Sequence, residues 1–456
     1  MAVLTRRGRA AAGLLAGALA GSWLAPVPAH ADEIRDRQAP VLRTLGMDAA
    51  WKITKGQGVT VGVVDSGVDP NQADLRGKVT TGPNMIAEVD RGTTPKRLHG
   101  TAMASLIAGH GHGPGGRSGI IGVAPRASIL AVRAISEEED ESYRRYRGSR
   151  EAKSSVARGI RYAADHGADV INLSLGNEGE SLDERESVAY AIGKGIVVVA
   201  AAGNNGDKKR LLDEDGFAPY SYPASFPGVI AVAAAEPDHD RAPFSNRNYS
   251  VLVSAPGDAV VSAGPGTDYL IGGGTSQASA FVSGIAALIR AKYPKMAPAL
   301  VSQALVQSTR HRPKDGYDPE VGFGEVHAAR ALAAAATIAS TPSGGDGSKP
   351  ARERFGAAEP GPVQVIDHPA WVTWMIIAVL VLGVGGAAGG GAIGLAFWRR
   401  HPRSADGPAG GPPPGRPQGR GPYGPPPPRP PYIAPRHPAP PPPRSAPGGP
   451  TMVPPS

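Results

Sequence analysis

The chain has 456 residues, with 62 glycines, 47 prolines, no cysteine and a formal net charge of +8. The absence of cysteine excludes disulfides and thiolate metal sites. The charge is uneven. Beyond Trp398 stand Arg399, Arg400, Arg403, Arg416, Arg420, Arg429, Arg436 and Arg444 against one acid, Asp406. The remainder is near neutral, so the charge makes no case for a nucleic-acid partner.

Residues 1–31 read as a secretory signal. Arg6, Arg7 and Arg9 form a basic start, an apolar run follows to Leu24, and Ala29-His30-Ala31 fits small-x-small cleavage before Asp32. Residues 32–55 form a short, partly helical extension, too short to fold as an independent pro-domain.

From Gly58 the pattern is alternating α/β. Continuous apolar runs at 59–64, 129–132, 170–174, 196–200, 229–233 and 251–253 suit strands buried on both faces. Helical spacing appears at 100–108, 154–166 and 186–193. Such alternation predicts a parallel sheet with helices on both faces, and sites at the carboxyl ends of its strands. Residues 136–152 switch from acid to base and read as a solvated surface loop. A last alanine-rich helix reaches Ile338, where the domain begun at Gly56 is expected to stop.

Residues 339–370 are small and polar, as in a flexible spacer. Residues 371–398 carry no charge and are long enough to span a bilayer. Trp371, Trp374 and Trp398 mark the ends, and Arg399-Arg400 places the following side in the cytoplasm. Gly385, Gly386, Gly389 and Gly390 give small-xxx-small spacing, a hint of helix association. Residues 399–456 are a Pro/Arg-rich low-complexity tail, expected to be disordered. The expected location is therefore a single-pass membrane protein with its folded domain outside the cytoplasm.

The chemistry centres on residues 272–284, a glycine-rich loop that turns into a helix, with Ser276 in its first turn. Unpaired N–H groups and the helix dipole favour a nucleophile whose attack creates an oxyanion. A serine at that position is also a common N-cap, so the stretch alone does not separate the two roles. A nucleophile needs a base, and the base needs an acid to orient it. Asp65 follows the strand ending at Val64, and His99 opens a helical stretch. The order Asp, His, Ser is that of the subtilisin arrangement. Asn204 lies just past another strand, where its amide can donate to an oxyanion. His110 and His112 sit in a glycine loop without a neighbouring acid in sequence, so no metal site or other cofactor is expected.

These stretches carry a resemblance. Val-Val-Asp65-Ser-Gly, His99-Gly-Thr-Ala-Met-Ala, Ile-Asn-Leu-Ser174-Leu-Gly176, Ala-Ala-Gly-Asn204 and Gly-Thr-Ser276-Gln-Ala resemble the subtilisin-like serine peptidases. The resemblance implies that Asp65 orients His99, that His99 is the general base, and that Ser276 forms the acyl-enzyme. It implies Asn204 in the oxyanion hole, and Ser174, Leu175 and Gly176 pairing with an extended substrate backbone. Signal, short extension, peptidase, spacer and one membrane helix together resemble the mycosins, subtilases associated with type VII secretion. That layout implies polypeptide substrates among exported proteins and a secretion-system membrane complex as partner. A scaffolding role in such a complex and a general cell-surface peptidase are the alternatives. The chain departs from the usual family pattern at Gln72-Ala73, where His-Pro is common, and at Gln277 and Ala280 after the serine.

Overall fold

The computed structural model describes residues 23–26 and 31–340. These belong to the first of two compact units, Met1–Phe355. The expected spacer, the membrane span at 371–398 and the tail lie outside the described residues, as do 1–22 and 27–30 of the expected signal. Among the described residues no helix is long and apolar enough to cross a membrane.

A seven-stranded, all-parallel sheet forms the centre. Its strands are β2 (Thr60–Asp65), β3 (Val79–Asn84), β6 (Ser128–Arg133), β7 (Val170–Leu173), β8 (Val197–Ala201), β9 (Ile230–Ala235) and β10 (Val253–Pro256), in the spatial order β10-β9-β8-β7-β2-β6-β3. The apolar runs of the sequence become the six strands that carry most of the sheet. The seventh, β3, reads as no apolar run because it is a half-exposed edge strand, and Pro83 is tolerated there.

Alternation along each strand sends side chains to two separate cores. Val61, Val63, Ile129, Val170, Val197, Val199, Ile230 and Val232 face one layer, which holds α4 (Leu98–Ala108) and α8 (Thr275–Lys292). Val64, Leu130, Val132, Ile171, Leu173 and Val198 face the other, under α6 (Ala152–Asp165) and α7 (Leu182–Gly193). Helices therefore cover both faces, as expected. Gly62 lets α6 approach: a Cβ there would lie 3.0 Å from the Ala163 Cβ.

The extension is part of this body. It folds as α1 (Ala31–Thr44) and α2 (Met47–Ile53), and Leu42, Leu45, Met47 and Ala50 join the first core. Gln38 exchanges two hydrogen bonds with the backbone of Ile121, at 2.8 and 3.0 Å. The Trp51 indole donates to the Val123 carbonyl at 2.8 Å. Two small antiparallel sheets complete the described structure. One joins β4 (His110–His112) to β5 (Ser118–Ile121). The other joins β11 (Val260–Ala263) to β12 (Tyr269–Gly273), and β1 (Trp23–Pro26) pairs with β12. Two short helices, α3 (Ala87–Asp90) and α5 (Tyr143–Gly148), precede α4 and α6, and after α8 the chain closes with α9 (Pro298–Ser308) and α10 (Ala328–Ser340).

One expectation is corrected. The stretch 136–152 is only in part a solvated loop: Glu138, Glu139 and Glu141 are exposed, but Ser136, Glu137, Asp140, Ser142 and Tyr146 are buried. Arg133, at the end of β6, donates to Asp90 at 2.7 and 2.9 Å and to Asp140 at 2.8 Å. A third group on the same guanidinium reaches the Ser66 carbonyl at 2.6 Å. Two acids on one planar cation satisfy the charges that burial would otherwise penalise.

Candidate active site

Asp65 is the last residue of β2, so the strand itself aims its carboxylate into the crevice at the carboxyl end of the sheet. Its Oδ1 accepts from the Ser66 backbone at 2.6 Å and lies 2.8 Å from His99 Nδ1. Since an ionised carboxylate only accepts, Nδ1 carries the proton and Nε2 holds the lone pair of the neutral ring. His99 Nε2 is buried and has no hydrogen-bond partner.

Local structure brings these two residues together. The α4 N-cap, Arg97, offers no side-chain cap, so the first N–H groups of the helix need other acceptors. Glu137 accepts from Leu98 N at 2.6 Å and His99 N at 2.9 Å. Ser66 Oγ accepts from Gly100 N at 3.0 Å, and the Arg97 carbonyl accepts from Thr101 N at 3.2 Å. The helix end is thus tied directly to the loop after Asp65. Gly100 is required for this approach, because a Cβ there would lie 2.2 Å from the Gly67 carbonyl oxygen.

The electrostatics favour a charged imidazole. Burial opposes protonation of His99, but the Asp65 charge and hydrogen bond, then Glu137 and Glu139, hold it above its ordinary value. Burial also raises the Glu137 carboxyl, to about 7, against the two backbone hydrogen bonds that favour its ionised form.

Ser276 stands in the first turn of α8. The N-cap of that helix is Gly274, with no side-chain cap, so neither Thr275 nor Ser276 is the cap. Ser276 Oγ donates to the Ser174 carbonyl at 3.1 Å. Beneath it a buried hydroxyl–amide network fixes the turn. Ser174 Oγ bonds to the Ser276 carbonyl at 3.0 Å and Ser279 Oγ at 2.9 Å, and Asn172 Nδ2 donates to Ser174 Oγ at 2.9 Å. Asn172 Oδ1 in turn accepts from Ser283 Oγ at 2.9 Å. Ser174, Leu175 and Gly176 follow β7 and are buried beside the turn. A Cβ on Gly176 would lie 2.3 Å from Ser221 Oγ.

Asn204 follows β8. Its Oδ1 accepts from both Thr275 N and Thr275 Oγ1, each at 2.9 Å, so the amide presents its donor end away from Thr275. Thr275 Oγ1 also accepts from Gly203 N at 3.1 Å. Asp65, His99, Asn204 and Ser276 are therefore all set by strand ends or helix starts on one side of the sheet. Thr275 and Ser66 fall inside the quoted motifs without a role of their own, and Glu137 lies outside all of them. Glu137 had one available signal: it lies just past the carboxyl end of β6, next to β2 in the sheet.

The two departures also have places. Gln72 is buried, and its Oε1 accepts from Asp74 N at 2.5 Å. Gln277 is fully buried beside the nucleophile turn, and neither atom of its amide has a partner. The histidine loop does have an acid in the fold, since His112 Nδ1 lies 2.6 Å from Asp74 Oδ1. His110 Nε2 meets only the Arg76 carbonyl, at 3.0 Å.

A serine, an imidazole on a buried carboxylate and an amide donor at the carboxyl end of a parallel sheet define a serine hydrolase of the Asp-His-Ser type. The subtilase family model matches residues 56–324, and the chain belongs to that family. Thermitase from Thermoactinomyces vulgaris is 38% identical over 242 residues, covering 53% of this chain and 77% of thermitase. Among solved structures, MycP3 protease from the type VII (ESX-3) secretion system is similar at 29% identity and a TM-score of 0.53, covering 64% of this chain and 87% of MycP3. MycP1 from Mycobacterium smegmatis is similar at 27% identity and a TM-score of 0.52, covering 64% of this chain and 84% of MycP1. The chain is a subtilisin-like serine endopeptidase.

Proposed function

We propose that this peptidase acts outside the cytoplasm, is anchored by residues 371–398, and processes secreted proteins of a type VII-like secretion system. The observation that carries this reading is the likeness to MycP1 and MycP3 over most of their solved chains. The apolar segment 371–398 and the basic residues after it support the anchoring.

In the proposed mechanism Ser276 Oγ leaves the Ser174 carbonyl and attacks the scissile carbonyl carbon. His99 Nε2 takes the serine proton, and Asp65 holds the resulting imidazolium. The donor amide of Asn204 stabilises the oxyanion. His99 then gives its proton to the leaving amine, and water hydrolyses the acyl-enzyme by the reverse sequence. The backbone of Ser174, Leu175 and Gly176 aligns the substrate as an added strand.

Peptides released by cells carrying the wild-type or the Ser276→Ala protein test this reading. Discrete cleavage products of exported substrates, lost in Ser276→Ala, are the expected result. If secretion persists in Ser276→Ala but fails on deletion of 371–398, the chain is a scaffold. Broad degradation of unfolded protein with no secretion defect makes it a general surface peptidase.

A further inference from the structure

A second cluster lies three strands along the sheet from β2, away from Asp65. His239 sits in the turn after β9, and His311 and Glu325 stand in the segment between α9 and α10. The two imidazoles stack with centroids 3.8 Å apart and planes 13° from parallel. His239 Nδ1 lies 2.7 Å from Glu325 Oε2, while Glu325 Oε1 is buried with no hydrogen-bond partner. The glutamate side chain is 3% exposed.

The backbone holds these groups firmly. Arg310 N donates to the Glu325 carbonyl at 2.7 Å and Glu325 N to the Arg310 carbonyl at 3.0 Å. Val326 N donates to the Ser254 carbonyl on β10 at 2.9 Å. His239 has φ 78° and His311 φ 47°, both left-handed conformations that non-glycine residues seldom adopt. Strain of that kind persists where surrounding structure over-determines it, often at ligand sites.

We propose that His239, His311 and Glu325 bind one divalent transition metal ion, with zinc the best match. One ligand atom from each residue lies within 4.8 Å of the other two. Ligand atoms around tetrahedral zinc stand about 3.4 Å apart, and two rings on one ion cannot stay stacked, so binding requires the exposed His311 ring to swing off His239. Two imidazole nitrogens and one carboxylate suit zinc, whereas calcium and magnesium require a shell of oxygens. The exposed side of His311 leaves the fourth position to water. The ion supplies the partner that the buried Oε1 lacks. Bound metal clips the segment before α10 to the turn after β9.

The test uses untagged full-length protein carrying Ser276→Ala to prevent self-digestion, solubilised in detergent and stripped with a chelator. Titration with Zn²⁺ should show one ion bound per chain and a rise in thermal midpoint. Co²⁺ should give the visible absorption of a tetrahedral nitrogen–oxygen site. His311→Gln, an exposed change that keeps the fold, should weaken zinc binding by at least about tenfold. Glu325→Gln should do the same. Absence of stoichiometric zinc in folded protein, or equal affinity in His311→Gln, would overturn the proposal. Because metal content is the readout, neither outcome bears on the peptidase reading.

Discussion

Glu137 closes the amino end of the helix that carries His99, accepting from the backbone N–H groups of Leu98 at 2.6 Å and His99 at 2.9 Å. A carboxylate from the loop after β6 thus both caps α4 and places a negative charge beside the imidazole. After Asp65, it is the next contributor to the raised proton affinity of His99.

The first consequence is kinetic. In the proposed mechanism His99 must be neutral to accept the Ser276 proton, so activity should rise as pH passes the His99 value. With that value held above 6.5, the acid limb of kcat/KM should lie above the pH of a free imidazole. Glu137→Gln removes a charge that raises it, so the limb should move to lower pH. Profiles of kcat/KM against pH for both proteins, on one peptide substrate, read this directly. An unmoved limb contradicts the assigned role.

A second consequence concerns stability. The Glu137 carboxyl titrates near 7 in the fold against 4.5 when free. A raised value means the fold binds the proton more tightly than the unfolded chain does. The associated stabilisation is complete below 4.5 and is lost as pH rises through 7, with a span on the order of 3 kcal/mol. Urea denaturation across pH 5–8 should therefore show a shallower decline for Glu137→Gln than for the parent.

The strands and the four site residues were legible in sequence, their buried partners were not, and the reason is physical. The proposed catalytic residues sit in local motifs at strand ends and helix starts, so Asp65, His99, Asn204 and Ser276 could be found singly and joined by order. The acidic run at 136–142 reads as wholly solvated because the burial of Asp140 depends on Arg133, which it shares with Asp90, 43 residues before that arginine. Local charge pattern cannot show such a partner. The edge strand β3 was missed for a related reason, since its half-exposed residues lack the apolar run of a central strand. The His239–His311–Glu325 cluster comes from separated segments and has no spacing signature at all.

Thr275 offers a test of the proposed oxyanion donor. It makes two hydrogen bonds to Asn204 Oδ1, and Thr275→Val removes the hydroxyl while keeping side-chain shape. Loss of that orientation should lower kcat about tenfold with little change in KM. Asn204→Ala should lower kcat by about 10²–10³. Steady-state kinetics on one substrate compare the two. A larger effect from Thr275→Val than from Asn204→Ala would contradict the ordering.

Arg133 should matter to folding more than to chemistry. Arg133→Met leaves Asp90 and Asp140 buried without their cation. Removing one member of such a buried set should cost about 3–5 kcal/mol. Denaturant unfolding checks this, and Arg133→Lys should recover only part of the loss because it cannot serve two carboxylates and the Ser66 carbonyl with one planar group.

The most direct test of the central claim is covalent. Detergent-solubilised full-length protein, treated with a fluorophosphonate probe and digested for mass spectrometry, should carry the label on Ser276 alone. Ser276→Ala should abolish labelling, and His99→Ala should slow it by orders of magnitude. Folded protein that takes no label, or takes it on another serine, would contradict the account.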